Sequence, residues 1–551
     1  MTRRPGTSER RALAAAMTRP VMRRAQVASL AAWTAEGAFL TALAVYAYQQ
    51  GGAAEVGLIG FLRLLPAGVA LPFGSLLVDR VPRQRVLVLS SAVRTIALLG
   101  VTLGALLGTP SPPVYVGVVL ATLAFVVFRP AHVALLPSLC TTPAELTGAN
   151  ATRSLLDGVA ALLGPVLAGA ALAAQGPGVG FAVATACTAV ATWQLVGIRV
   201  EVPELETPPP ARVTRDLVDG WRALAGDGRI RLLVGIGAAQ VAVRGALNVL
   251  AVVVVIDLLA LDEGAVGLLW AAFGAGALLG ASATFRLAGS PRMAVFFGVG
   301  MATWGLPLAV VAATSSWLLT LALLAVVGVG NALVDVTAFT LIQRLTPDRV
   351  LGRVLGAAEM LWTLAMALGS LGAPLLVDLF GVRGALLALG LALAGLPLLL
   401  SPGLRGVDRD VQVRTHEVEL LQRVSILRPL PVPVIEQLAT RAVPRLVPAG
   451  DRVFGQGEAG DDYYVIVDGR ARVSVDGEYR RDLGPGDGFG EIALLRPVPR
   501  TATVDADTEL DLRALSGAAF IRAVGGYRPS AEAADEVIRR WQPPGADPAG
   551  G

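Results

Sequence analysis

The sequence of 551 residues contains no lysine, and all 46 of its basic residues are arginine. A phosphate-binding P-loop needs a lysine at the nucleotide phosphates, and a pyridoxal enzyme needs a lysine for its Schiff base. The absence of lysine therefore excludes both kinds of site. An ATP-driven pump of the P-loop type cannot be built from this chain alone.

Cysteine and histidine are also scarce. The two cysteines, Cys140 and Cys187, fall in a short loop and in an apolar run, and the two histidines, His132 and His416, stand alone. This pattern excludes a disulfide framework, a zinc-ligand spacing and a hydrolytic triad. We expect no metal, no cofactor and no enzymatic activity.

Charged side chains make up only 16% of the chain, whereas 54% of the residues are hydrophobic and the mean hydropathy is +0.63. This composition is typical of an α-helical polytopic membrane protein. Twelve apolar runs are long enough to form spanning helices of about 20 residues each. The runs are 27–48, 56–78, 86–107, 113–136, 155–173, 178–198, 231–256, 264–285, 293–313, 316–340, 353–378 and 383–401.

The distribution of arginine predicts how the chain is oriented. Arginines are concentrated in the N-terminal arm and in segments 79–85, 199–229 and 344–353; they are absent from 49–55, 108–112, 174–177, 257–263 and 314–316. Positive charge favours cytoplasmic loops, and an even number of spans puts both ends on one side. We therefore expect both termini in the cytoplasm and the helices in the plasma (inner) membrane.

Changes in composition and a weak internal repeat predict the domain organisation. Pro143–Gly148 matches Pro347–Gly352, as in membrane proteins built from two related halves. The predicted segments are a cytoplasmic arm (1–25), a membrane domain (26–401) with halves 26–198 and 230–401 and linker 199–229, a second linker (402–414), a soluble domain (415–542) and a disordered tail (543–551).

The segment from Gly74 to Arg85 resembles the loop between helices 2 and 3 of the major facilitator superfamily, and the resemblance spans roughly residues 25–401. It implies two six-helix bundles and secondary transport of a small molecule. By this resemblance, Gly74, Asp79, Arg80 and Arg83 form a cytoplasmic gate. The alternative is that these arginines only follow the charge asymmetry of the loops.

Further matches, including Pro130 to Pro137 and Glu145-Leu146, resemble the branch of this superfamily that contains macrolide and siderophore exporters. Gly164-Pro165 lies in the fifth apolar run, where such a pair permits a helix kink. Similar pairs mark antiporters, so the resemblance implies export. The alternative is a purely architectural kink.

Ionisable residues within spans are costly and are therefore functional candidates. We select Glu36, Arg63, Arg94 and Asp157 as candidates for proton or substrate coupling. The hypothesis is that Glu36 titrates during proton-coupled exchange, with Arg63 or Arg94 as its charge partner. The alternative is a static ion pair that holds two helices together.

After Ser401 the pattern changes to short alternating strands between Gly-containing turns, which predicts a small antiparallel β-roll with flanking helices. Residues 415–542 resemble the cyclic nucleotide-binding domain. Gly457-Glu-Ala-Gly460 followed by Tyr463-Tyr-Val-Ile466 and Gly469 resembles its first signature, and Phe489-Gly-Glu491 followed by Arg500-Thr-Ala502 resembles its second. Phe454 departs from the usual aliphatic residue, and we expect it to affect packing more than ligand contact.

The predicted nucleotide site has two charged residues with different tasks. The start of a short helix at Glu491 offers free N–H groups to a cyclic phosphate, and Arg500 adds a charge-assisted pair. By resemblance, Glu491 accepts a hydrogen bond from the ribose hydroxyl, and Thr501 can contact a guanine amino group. The predicted site residues are Phe489, Gly490, Glu491, Ile492, Ala493, Arg500, Thr501 and Ala502.

The combined interpretation is a proton-coupled exporter that cAMP or cGMP regulates, acting as a monomeric unit in the lipid bilayer without nucleic acid. We expect nucleotide-dependent movement to act on the gate near Asp79, through 402–414. Two alternatives stay open: a membrane-tethered nucleotide receptor whose bundle does not transport, and a transporter whose soluble domain docks a protein.

Overall fold

A computed structural model describes residues 19–140, 143–198, 213–284, 292–346, 348–496 and 498–541. The chain divides into two compact units, Met1–Val407 and Asp408–Gly551. Residues 1–18 of the predicted arm, 199–212 of the predicted linker and the tail 543–551 lie outside the described residues. The predicted boundaries of the domains stay predictions.

The described part of the first unit is helical. Its helices are α1 (Pro20–Arg80), α2 (Arg83–Leu106), α3 (Ser111–Val126), α4 (Phe128–Leu139), α5 (Pro143–Gln175), α6 (Pro177–Val196), α7 (Val213–Gly226), α8 (Gly228–Val253, continued by a π-helical turn Val254–Leu258), α9 (Ala265–Thr284), α10 (Met293–Val311), α11 (Trp317–Leu345) and α12 (Asp348–Leu399).

The two longest helices are broken at glycines. Gly52 in α1 has φ 62° and ψ −153°, and Gly381 in α12 has φ 68° and ψ 171°. These conformations strongly favour glycine, because they carry a steric penalty for a residue with a Cβ. Both breaks fall between two of the predicted apolar runs.

Ten helices within the described residues are long and apolar enough to cross a membrane, which makes the protein multi-pass. The longest of them, Pro20–Gly74 and Val350–Leu399, have 55 and 50 residues and contain the breaks at Gly52 and Gly381. The predicted count of twelve spans stays a prediction.

Glycines bring α1, α5 and α9 into close contact. A Cβ added to Gly164 would lie 2.9 Å from the Cα of Gly37, and one added to Gly37 would lie 2.9 Å from the Cδ of Pro165. On another part of α5, a Cβ on Gly169 would lie 3.1 Å from the Cα of Gly267 in α9. The Gly164-Pro165 pair is thus a packing point beside Glu36; whether it also kinks α5 stays a prediction.

The second unit is the β-roll that the alternating pattern predicts. Helix α13 (Ser401–Arg423) contains the boundary between the two units. The elements that follow it are α14 (Val432–Arg441), β1 (Val443–Val447), β2 (Arg452–Phe454), β3 (Asp462–Asp468), β4 (Ala471–Val475), β5 (Glu478–Leu483), β6 (Gly488–Phe489), α15 (Glu491–Leu495), β7 (Thr503–Ala506), β8 (Leu510–Ser516), α16 (Gly517–Gly525) and α17 (Arg528–Trp541).

Two four-stranded antiparallel sheets form the roll, in the orders β1-β8-β3-β6 and β2-β7-β4-β5. Strand β3 pairs with β6 so that Tyr464 lies opposite Phe489 and Val465 lies opposite Gly488. This register fixes the position of the turn that follows β6. The predicted linker 402–414 lies within α13.

Candidate functional site

The candidate nucleotide site begins where β6 ends. Gly490 has φ 94° and is the N-cap of α15, which starts at Glu491. The cap makes no side-chain hydrogen bond, and the first N–H groups of a helix have no partner within the helix. The first turn of α15 therefore presents N–H donors, as the sequence predicts.

Arg500 connects this turn to β3. Its Nη1 donates to the carbonyl of Gly490 at 2.9 Å, and its Nη2 donates to the carbonyl of Asp462 at 2.7 Å. The side chain is buried, and its Nε has no hydrogen-bond partner within the described part of the chain. Burial lowers the pKa of Arg500, and Tyr464 and nearby carboxylates oppose this shift. A guanidinium remains protonated at neutral pH despite such a shift.

Two glycines leave room for this guanidinium. A Cβ on Gly490 would lie 2.6 Å from Nη1 of Arg500, and a Cβ on Gly460 would overlap the same guanidinium. The backbone is also paired here, since the N–H of Arg500 donates to the carbonyl of Glu458 at 2.8 Å. Gly460 of the first signature and Gly490 of the second thus both lie against Arg500.

Aromatic rings support the other face of Arg500. Its guanidinium carbon lies 4.2 Å from the ring centroid of Phe454, and the rings of Tyr464 and Phe489 stack with centroids 5.4 Å apart. Phe454 and Phe489 are 5.8 Å apart. Phe454, whose role we expected to be packing, therefore packs directly against the arginine of the candidate site.

Glu491 is buried, and its Oε2 has no hydrogen-bond partner among the described residues. Burial raises the pKa of this carboxyl, while its own backbone N–H, Arg481 and Arg500 act in the opposite direction. The side chain therefore has an acceptor oxygen available for a ligand hydroxyl. Ile492 and Ala493 continue α15, and Thr501 is exposed directly after Arg500.

Tyr463, which belongs to the first signature but was not among the predicted site residues, is a neighbour of the site. Its ring stacks on Phe520 with centroids 4.2 Å apart, and its buried hydroxyl has no hydrogen-bond partner within the described residues. Burial raises the pKa of Tyr463 well above its usual value, with smaller contributions from Glu491 and Asp487. Its place in an apolar strand run looked the same as that of any core residue.

In the membrane unit, the structure brings three of the four coupling candidates together. Nη2 of Arg94 forms an ion pair with Oε2 of Glu36. Arg63 interacts electrostatically with both residues. The guanidinium carbon of Arg94 also lies 3.9 Å from the ring centroid of Phe125.

Asp157 lies in a different contact set. It accepts a 2.8 Å hydrogen bond from Arg153 and a 3.5 Å hydrogen bond from Ser29. Arg153, one helical turn before Asp157, was not singled out from the sequence, although an i,i+4 arginine is a recognisable partner signal.

A second polar group lies in the other half of the membrane unit. Gln240 donates to Asn331 at 3.2 Å, Trp304 donates to the same amide oxygen at 3.3 Å, and Asn331 donates to Asp335 at 2.9 Å. Sequence analysis missed Gln240 and Asn331, because neutral amides carry no charge signal.

Of the predicted gate residues, Gly74 and Arg83 have described contacts. A Cβ on Gly74 would lie 2.9 Å from Cγ1 of Val127, and Nη1 of Arg83 donates to the carbonyl of Ala134 at 2.8 Å. The side chains of Asp79 and Arg80 lie outside the described residues. Among the residues that are described, no group of three or more His, Cys, Asp or Glu is placed to hold a metal ion.

Comparison with known proteins identifies the family. The description "Major Facilitator Superfamily" matches residues 27–370 and 236–447. The chain belongs to the Major Facilitator Superfamily. Members of this superfamily are transporters and not enzymes. A second description, "Cyclic nucleotide-binding domain", matches residues 444–526.

Individual relatives match each part separately. The Enterobactin exporter EntS of Citrobacter koseri is 30% identical over 365 residues, which cover 63% of this chain and 83% of the exporter. The cAMP-dependent protein kinase regulatory subunit of Yarrowia lipolytica is 39% identical over 121 residues, 22% of this chain and 32% of that protein. The chain spans less than half the length of the relatives that match its C-terminal domain.

A solved structure supports the fold of the membrane unit. The nucleoside transporter NupG superposes with a TM-score of 0.59 and 12% sequence identity, covering 70% of this chain and 98% of that chain. At this identity the likeness shows the fold alone.

Proposed function

We propose that this superfamily member is a proton-coupled exporter of a small molecule, and that cAMP or cGMP bound to its C-terminal domain regulates export. The observation that carries the regulatory part is a pair of buried, unsatisfied groups, Nε of Arg500 and Oε2 of Glu491, within the described residues. A buried polar atom without a partner is costly, so these two neighbouring groups support a ligand-binding role for this turn.

The two groups fit different parts of a cyclic nucleotide. Nε of Arg500 is a donor for the cyclic phosphate, together with the N–H groups of the first turn of α15. Oε2 of Glu491 is an acceptor for the ribose hydroxyl. Thr501, exposed next to Arg500, is the position at which a guanine amino group would be contacted, while the kinase relative carries cAMP in its name.

Export is supported by the relative named as an enterobactin exporter. Proton coupling is supported by the position of Glu36, whose carboxylate is paired with Arg94 and keeps 16% of its side chain exposed. Protonation of Glu36 would release Arg94, so proton binding would change the charge presented to a substrate.

The arginine distribution supports a cytoplasmic C-terminal domain at the inner membrane. In this orientation the domain faces the compartment in which cyclic nucleotides are made. A nucleotide-dependent movement would act on the gate segment that contains Asp79, Arg80 and Arg83 through residues 402–414. The transport unit is a monomer.

Calorimetry and vesicle transport on the full-length protein test this proposal. We expect heat from cAMP or cGMP with wild-type protein, and export of a screened small molecule whose rate depends on nucleotide. Nucleotide binding without transport of any screened compound would point to the membrane-tethered receptor. Transport without nucleotide binding would point to the docking module.

A further inference from the structure

The cluster of Glu36, Arg63 and Arg94 carries more positive than negative charge. Two guanidinium groups face one carboxylate, and only 6% of Arg63 and 2% of Arg94 are exposed. A buried charge without a counter-charge is unfavourable, and an ionisable residue within a membrane span marks a substrate or ion pathway. Within the described residues, the cluster therefore has one positive charge more than its single carboxylate balances.

The hydrogen bonds of Arg94 also indicate that an anionic partner can bind. Its Nη2 is used by Glu36, whereas its Nε and Nη1 are buried without a partner among the described residues. These N–H groups are strong donors to an oxyanion.

Aromatic side chains lie next to the guanidinium of Arg94. The guanidinium of Arg94 lies 3.9 Å from the ring centroid of Phe125 and 5.9 Å from that of Phe39, and Trp33 contacts Phe125 edge-on with centroids 5.1 Å apart. Flat aromatic surfaces next to a cation favour a ligand that combines a ring with a negative group.

We propose that this cluster is the substrate site and that it takes an organic anion bearing an aromatic ring. The inference rests on the proposed transport function and specifies its substrate class. The anionic group binds the Nε and Nη1 donors of Arg94 and the charge of Arg63, while the ring packs among Trp33, Phe39 and Phe125. The carboxylate of Glu36, whose side chain is 16% exposed, competes with the substrate for Arg94.

Binding to the full-length protein in detergent tests the charge requirement. The probes are 1-naphthalenesulfonate, 1-naphthylmethylammonium and neutral 1-naphthalenesulfonamide, which share a ring system and differ in charge. We expect the sulfonate to bind more tightly than the other two. Arg94→Gln and Arg63→Gln are each expected to weaken sulfonate binding about tenfold or more, as for a lost charged hydrogen bond. Arg63→Lys, which keeps the charge, should retain most of the affinity.

Arg383→Gln is the matched control. Arg383 donates to the carbonyl of Ala312 and to Ser315, outside the cluster, so its loss should leave sulfonate affinity unchanged. The unfolding temperature of each variant shows whether the membrane unit is intact. If Arg94→Gln does not fold, the sulfonate affinity of Arg63→Gln tests the proposed site instead.

Three results would overturn the inference: no sulfonate binding, equal or tighter binding of the cationic or neutral probe, or unchanged sulfonate affinity in a folded Gln variant. Failure of the transport proposal looks different. If sulfonate binds through Arg63 and Arg94 but neither it nor any screened compound is moved in vesicles, the anion site stands and the transport proposal fails. Export of only cationic or neutral compounds would support transport and refute the proposed anion site.

Discussion

Arg500 donates a 2.9 Å hydrogen bond to the carbonyl of Gly490, the residue that caps the helix carrying Glu491. The same guanidinium holds the start of β3 through the carbonyl of Asp462. A ligand phosphate that accepts a hydrogen bond from the remaining Nε would therefore bind a guanidinium that already contacts both Gly490 and Asp462. This arrangement links occupancy of the site to the position of the turn at Gly490.

Arg500→Ala is expected to weaken nucleotide binding by about 2–3 kcal/mol or more, because it removes charge-assisted hydrogen bonds to the phosphate. Isothermal calorimetry with cAMP and cGMP on the full-length protein measures this loss. Arg452→Ala is the control, since Arg452 pairs with Asp505 at the surface. Equal affinity of wild type and Arg500→Ala would show that the arginine does not hold the ligand.

Gly490→Ala should lower both stability and nucleotide affinity. Its φ of 94° costs a residue with a Cβ about 1–2 kcal/mol, and the new methyl group would lie 2.6 Å from Nη1 of Arg500. Gly477→Ala separates these effects, because Gly477 has φ 82° with no atom within 4 Å of an added Cβ. We expect Gly477→Ala to lower the unfolding temperature only, and a loss of affinity in both variants would contradict this account.

The raised pKa of Glu491 predicts a pH dependence of binding. The ionised carboxylate is the better acceptor for the ribose hydroxyl, so affinity should be highest above the raised pKa and fall as the pH drops toward the usual value of about 4.3. In the ligand-free protein the sign is opposite, because burial favours the protonated form and stability falls as the pH rises through the folded-state pKa. Calorimetry between neutral and acidic pH measures the first effect. Glu491→Gln should flatten it, and an affinity that rises on acidification would contradict it.

Glu36→Gln is expected to abolish the dependence of transport on a proton gradient while leaving substrate exchange at equilibrium intact. A permanently neutral side chain cannot exchange a proton, and it no longer forms the ion pair with Arg94. Proton-driven uptake into inverted vesicles measures the coupling. Glu145→Gln, which removes the half-buried partner of the exposed Arg19, is the control. If Glu36→Gln keeps full proton coupling, the coupling hypothesis is wrong, and Glu36 serves only in a static ion pair in the wild-type protein.

Local motifs marked residues that the structure brings together around Arg500, and their role in binding a nucleotide stays a prediction. The residues that meet at Arg500 come from two signatures whose spacing is visible in the sequence, and the strand pattern correctly predicts the roll. Tyr463 lies in the first signature, but the position of its buried hydroxyl near Glu491 could not be predicted in the same way, because it depends on the pairing of β3 with its neighbours. Its pattern of burial is that of an ordinary core residue.

The membrane unit was less predictable, because its contacts join residues far apart in the chain. The close approach of Gly37 to Gly164 and the hydrogen bond from Gln240 to Asn331 depend on helix packing that apolar runs do not specify. Ionisable residues could be selected, but Glu36 had two possible partners until the structure paired it with Arg94. For the same reason Asp157 could not be separated from the cluster.

The measurement that tests the central claim most directly is the transport rate of the reconstituted full-length protein with and without cyclic nucleotide. The assay uses an exported compound, with cAMP or cGMP supplied on the side of the C-terminal domain. We predict that one nucleotide changes the rate several-fold and that Arg500→Ala removes this change without altering the nucleotide-free rate. Identical rates at saturating concentrations of both nucleotides would contradict the proposed regulation.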